Sequence, residues 1–201
     1  MNKQQLIKHL KLQGFPEKIL RAFKKVERED FVSENYKEYV YDDTSLPIDY
    51  GATISQPYVT AFMLNQLELK PNSKQKVLEI GSGSGYVLAL LSEITKGKIY
   101  GVEIIKELAE RSRKTLKKYK DIIIVHQSGK NGLPKFSPYD KILISAACPD
   151  LNTAQKLCEQ LKENGIIVAS VKWSVFKIKK EKGKITTKEF PGFVFVPLVD
   201  E

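Results

Sequence analysis

Apolar residues along the first part of the chain fall at helical spacing, and the rhythm then changes. Leu6, Ile7 and Leu10 form one set, and Ile19, Leu20, Phe23 and Val26 form another after Pro16, which predicts two short helices. Val32 to Pro47 is rich in Tyr and Asp and reads as an irregular layer. Pro57 is suited to open a third helix carrying Val59, Phe62, Met63 and Leu67, and Pro71-Asn72 ends it. From residue 76 onward, apolar strands alternate with helical patterns. The predicted strands are Lys76 to Ile80, Lys98 to Glu103, Ile122 to His126, Lys141 to Ala146 and Ile166 to Val171. Helices are predicted over Tyr86 to Ile94, Ile105 to Tyr119 and Thr153 to Lys162. Near-continuous Ile, Val and Leu runs are what parallel strands covered on both faces require. Phe176 to Lys180 and Lys184 to Lys188 flank Lys182-Gly183, a hairpin signal, and Phe193 to Leu198 reads as a closing strand. The expected fold is α/β: a mostly parallel sheet with helices on both faces and an antiparallel hairpin at its C-terminal end.

Length and composition add limits. With 201 residues, 42% hydrophobic and 28% charged, one domain with a sizeable core is expected over 1–201. Residues 1–70 read as a helical, substrate-covering segment and 71–201 as the α/β core. No apolar run is long enough to span a bilayer, and Met1 to Gln5 leads into an amphipathic stretch rather than a secretory signal. Cys148 and Cys158 lack both metal-ligand spacing and disulfide density, so no metal is expected and a cytoplasmic location is the simplest reading. The net charge of +9 is spread along the chain. Its two denser stretches, Lys114 to Lys120 and Lys177 to Lys188, lack interleaved aromatics, which argues against a nucleic-acid groove. No clear interface stripe is visible, and a monomer is the default.

The candidate chemistry lies in Glu79-Ile80-Gly81-Ser82-Gly83-Ser84-Gly85, where a predicted strand runs into a glycine-rich turn and then a helix. Ligands of open α/β sheets bind outside the carboxyl ends of the strands. The G-x-G-x-G spacing differs from the dinucleotide fingerprint, and a carboxylate beside the turn would repel a pyrophosphate. Glu79 instead suits the cationic amine of S-adenosylmethionine, and Glu103, ending the second core strand, suits its ribose hydroxyls. From the residues alone, Ser55 reads first as a turn or cap residue ahead of Pro57, before any active-site role.

Beyond that loop the chain resembles the protein-L-isoaspartate O-methyltransferase family, within the Rossmann-like class I methyltransferases of seven-stranded sheet. The resemblance rests on Asp30-Phe31-Val32, Asp42 through Thr53-Ile54-Ser55-Gln56-Pro57, the glycine loop, and Phe195-Val196-Pro197-Leu198. It implies transfer of a methyl group from S-adenosylmethionine, leaving S-adenosylhomocysteine, to the free carboxylate of isoaspartyl residues in aged proteins and peptides. It assigns Ser55 to the active site and Thr53, Ile54, Gly81, Ser82, Gly83, Ser84, Ile104, Ser128 and Gly129 to the donor, beside Glu79 and Glu103. It assigns Thr53, Ser55, Val194, Val196 and Pro197 to the substrate. The chain departs from the family pattern where Gln127-Ser128-Gly129 replaces Gly-Asp-Gly, and where Ala169-Ser170-Val171-Lys172 lacks the usual proline and glycine. The rival readings are a related methyltransferase acting on RNA or a small molecule, and a donor-binding homologue without turnover. Against the amine-methylating type stands Ser145-Ala146-Ala147-Cys148-Pro149, where those enzymes carry an Asn/Asp-Pro-Pro-aromatic motif. His9 and His126 are expected to be structural or at the surface rather than catalytic, because an ionised carboxylate needs no general base.

Overall fold

The computed structural model describes residues 1–199. Two helices open the chain: α1 (Lys3–Leu12), capped by an Asn2–Gln5 capping box, and α2 (Glu17–Lys25). Their apolar stripes are buried, as the spacing predicts. The stretch after them forms short 3-10 turns and a two-stranded ribbon, β1 (Leu46–Pro47) against β2 (Thr53–Ile54). Helix α3 (Pro57–Gln66) follows, with proline in its first turn.

The core then alternates: β3 (Val77–Ile80), α4 (Tyr86–Ile94), β4 (Ile99–Glu103), α5 (Lys106–Thr115), β5 (Ile122–His126), β6 (Tyr139–Cys148), α6 (Leu151–Lys156), β7 (Leu161–Val171), β8 (Ser174–Glu181) and β9 (Lys184–Pro191). The strands build one seven-stranded sheet in the order β5-β4-β3-β6-β7-β8-β9. Pairings from β5 to β7 are parallel, while β7–β8 and β8–β9 are antiparallel. Successive side chains point to opposite faces. Val77, Ile99, Leu143 and Val168 therefore join the layer of α1 to α5, while Leu78, Tyr100, Ile142 and Ile167 join a thinner layer under α6. Chain order reverses between β3 and β6, which opens a crevice at their carboxyl ends.

Three expectations need correcting. The Phe193 to Leu198 run is not a strand: it makes one isolated parallel bridge, Ala147 with Pro197. Phe193 and Phe195 turn onto the core instead of alternating across a partner strand. The helix expected to reach Lys162 stops at Lys156, because the chain tightens into a 3-10 turn over Leu157–Gln160 and Leu161 then pairs with Tyr139 in β7. The helix expected over Ile105 to Tyr119 likewise gives way to a 3-10 turn at Leu116–Lys118.

Candidate active site

The crevice at the carboxyl end of β3 is a cleft whose floor is the glycine turn. Gly85 takes φ +86°, and a Cβ there would meet Leu116 Cδ1 at 2.6 Å, so turn and packing both require glycine. Gly129 meets the same floor from the far side: its Cβ would lie 2.3 Å from Ile80 Cγ2. Gly81, Ser82, Gly83 and Ser84 line the cleft above them.

Two carboxylates govern its electrostatics. Glu103, 5% exposed at the end of β4, accepts from the Gly83 N–H (2.7 Å) and the Ile105 N–H (2.9 Å). Each oxygen keeps a lone pair for a further donor, which is what a vicinal diol supplies. Glu79, 1% exposed on β3, accepts from the Ser145 hydroxyl at 2.8 Å through Oε1. Its Oε2 is buried without a partner among the described residues, and so is Ser82 Oγ. Burial pushes the Glu79 carboxyl up to about 8; the Ser145 hydrogen bond opposes that rise and the charge of Glu103 adds to it. Buried polar groups are ordinarily paired, so these orphans fit a ligand that brings a cationic or polar group beside Glu79 and paired hydroxyls to Glu103.

A second cavity adjoins the first. Ser45, Gln56, Val59, Val194 and Phe195 belong to it alone, whereas Thr53, Ser55, Ser145 and Val196 line both. The wall is completed by residues 196–199, tied down where Ala147 N–H donates to the Val196 carbonyl and Leu198 N–H donates to the Ala147 carbonyl, each at 2.8 Å. The Ser55 loop is anchored from beneath by Arg28. That side chain is fully buried, lies over the Tyr86 ring at 5.0 Å, and donates to the carbonyls of Val40 and Ser55.

Of the residues expected here, Thr53, Ile54, Ser55, Glu79, Gly81 to Ser84, Glu103, Ile104, Gly129, Val196 and Pro197 line the first cleft, and Val194 the second. Ser128 does not: its hydroxyl turns back to accept from the Lys130 N–H at 3.4 Å, leaving Gly129 as the wall. Both histidines stand outside, His9 beside Asp43 and His126 beside the Ile104 carbonyl. Sequence reasoning missed the roles of Ser145 and Arg28. Ser145 offers only the absence of a known motif, and Arg28 reaches Ser55 from a distant turn.

The sheet order and the cleft define a Rossmann-like class I methyltransferase. A solved chain described as protein-L-isoaspartate O-methyltransferase superposes with a TM-score of 0.88 at 27% identity, covering 98% of this chain and 65% of that one. The chain belongs to the protein-L-isoaspartate(D-aspartate) O-methyltransferase family, which matches residues 1–201. A protein-L-isoaspartate O-methyltransferase of Methanococcoides burtonii is 39% identical over 96% of this chain and 98% of its own length. A putative Plasmodium falciparum protein of the same description, in complex with S-adenosyl-L-homocysteine, has the same fold: TM-score 0.85, 24% identity, full coverage of both chains. No helix among the described residues is long and apolar enough to cross a membrane.

Proposed function

We propose that this chain methylates the free carboxylate of isoaspartyl residues in damaged proteins and peptides, with Ser55 as the residue that aims the acceptor. The observation that carries this reading is the meeting of two cavities at Thr53, Ser55, Ser145 and Val196. The first suits S-adenosylmethionine: Glu79 would take its amino group, Glu103 its ribose hydroxyls, and Gly81 to Ser84 the backbone between them. When bound, that donor supplies the electrophilic methyl group.

The acceptor carboxylate is already ionised at neutral pH, so no residue need remove a proton. The chain's work is positioning and exclusion of water. The Ser55 hydroxyl makes no hydrogen bond among the described residues, which leaves its proton for an acceptor oxygen. The Thr53 hydroxyl beside it likewise has no hydrogen-bond partner among the described residues. Residues 1–70 act as the substrate-covering segment, since Ser45, Thr53, Ser55, Gln56 and Val59 all come from it. Val194, Val196 and Pro197 supply the opposite wall. We take the chain to act as a monomer in the cytoplasm, in line with its two buried, unpaired cysteines.

The test is methyl transfer from labelled S-adenosylmethionine to an isoaspartyl peptide, with the matching aspartyl peptide and bulk RNA as controls. Base-labile label on the isoaspartyl peptide alone is expected. Label on RNA without label on the peptide would overturn the assignment, and silence on both would point to a donor-binding homologue.

A further inference from the structure

Ser145 is the one hydroxyl from the sheet that lines both cavities. It lies in β6 directly after Ile144, which pairs with Ile80 in the last β3–β6 register position, where the β6–β7 register becomes irregular. Its Oγ donates to Glu79 Oε1 at 2.8 Å, and a hydroxyl has one proton to give. Ser145 therefore cannot also donate to an acceptor carboxylate. The Thr53 and Ser55 hydroxyls on the covering side, without partners among the described residues, are left to do so.

The same bond fixes the direction of Glu79. With Oε1 held by Ser145, Oε2 is the oxygen left without a partner, inside a residue that also lines the donor cleft. We propose that Ser145 is a positioning residue, holding the Glu79 carboxylate turned so that Oε2 takes the amino group of the methyl donor. The inference rests on the donor reading above. Two groups act on Glu79 in its surroundings: Ser145 from β6 and the charged Glu103 from β4. Burial drives Glu79 toward its neutral form and Glu103 reinforces it, while the Ser145 proton opposes both. Removing that proton donor pushes the balance further toward the neutral acid, which attracts an ammonium far less.

The experiment is calorimetric titration of the ligand-free protein with S-adenosylhomocysteine and, separately, with adenosine, which lacks the amino-acid arm. It is run between pH 6 and 8 on the wild type, Ser145→Ala and Ser145→Thr. Loss of a hydrogen bond to a charged group predicts that Ser145→Ala weakens S-adenosylhomocysteine at pH 7 by about tenfold or more. Its affinity profile should move to higher pH, adenosine binding should stay as in the wild type, and Ser145→Thr should restore both affinity and profile. Equal losses for the two ligands, an unchanged S-adenosylhomocysteine affinity, or a threonine variant that fails to restore it would each overturn the proposal. A wild type that binds adenosine but shows no preference for S-adenosylhomocysteine would overturn it too. A wild type that binds neither ligand would overturn the donor reading itself, and this inference with it.

Discussion

The guanidinium of Arg28 donates through Nη2 to the backbone carbonyl of Ser55 at 2.9 Å. The two residues lie in separate turns, yet this bond and that to the Val40 carbonyl tie the covering segment into one body. Among the described residues no carboxylate hydrogen-bonds this buried cation; backbone carbonyls and the face of Tyr86 hold it instead. Arg28→Lys keeps the charge but loses the fork that reaches both carbonyls. We expect it to cost about 2–4 kcal/mol in urea unfolding. Methyl transfer should fall further than S-adenosylhomocysteine affinity, since the variant loosens Ser55 more than the glycine turn. An unfolding midpoint equal to the wild type would show that the carbonyls find other donors.

Ser55→Ala removes the hydroxyl and leaves the backbone anchor. Turnover on an isoaspartyl peptide should drop by roughly 10- to 100-fold, the usual scale for lost alignment, with S-adenosylhomocysteine affinity nearly unchanged. Steady-state kinetics beside calorimetry separates the two effects. A loss confined to donor binding would reassign Ser55 to the donor.

Glu79 makes the ligand-free protein sensitive to pH. Its folded-state carboxyl titrates at about 8 because it is buried, well above the ordinary glutamate value of 4.5. The folded chain therefore holds a proton that the unfolded chain releases between those values. The stability this contributes is complete below the unfolded value and is lost as pH rises through about 8. Glu79→Gln should then raise the Tm of the ligand-free protein at pH 8, by an amount on the order of a few kcal/mol in free energy, while weakening S-adenosylhomocysteine. A glutamine variant that melts with the wild type at pH 8 would mean that Glu79 is no burden to the empty fold.

Ser128 stands where relatives by resemblance carry an aspartate, and its hydroxyl turns away from the cleft. Ser128→Asp adds reach and charge beside Gly129, so it should tighten S-adenosylhomocysteine by about tenfold, the scale of one charged hydrogen bond. If the dissociation constant does not move, another group already accepts from the adenine amine.

Much of this arrangement was readable from residue order because it depends on local pattern. The run Ile122 to His126 is a strand with the expected bounds, and Gly85-Tyr86 marks the start of α4 as read. The glycine turn and both carboxylates announce themselves through a strand-turn-helix rhythm and an acidic residue at a strand end. Phe193 to Leu198 misled because alternating Val and Phe describe any chain with one buried side; only two hydrogen bonds to Ala147 say what the segment does. Ser145 was silent for a different reason. Its partner Glu79 lies 66 residues away, and no periodicity encodes a contact between neighbouring parallel strands. Arg28 likewise meets Ser55 only after the covering segment has folded back.

The segment that walls the cleft follows, in chain order, every other residue lining either cavity. During synthesis the glycine turn, Glu103 and Ser55 are therefore all made before Val196 and Pro197 emerge. A ribosome that stalls after the hairpin leaves a chain with its core sequence whole but its cleft still gaping on one side. Assembly of the reaction chamber is thus scheduled behind assembly of the sheet, and a half-made molecule has no closed vessel in which to spend a methyl donor.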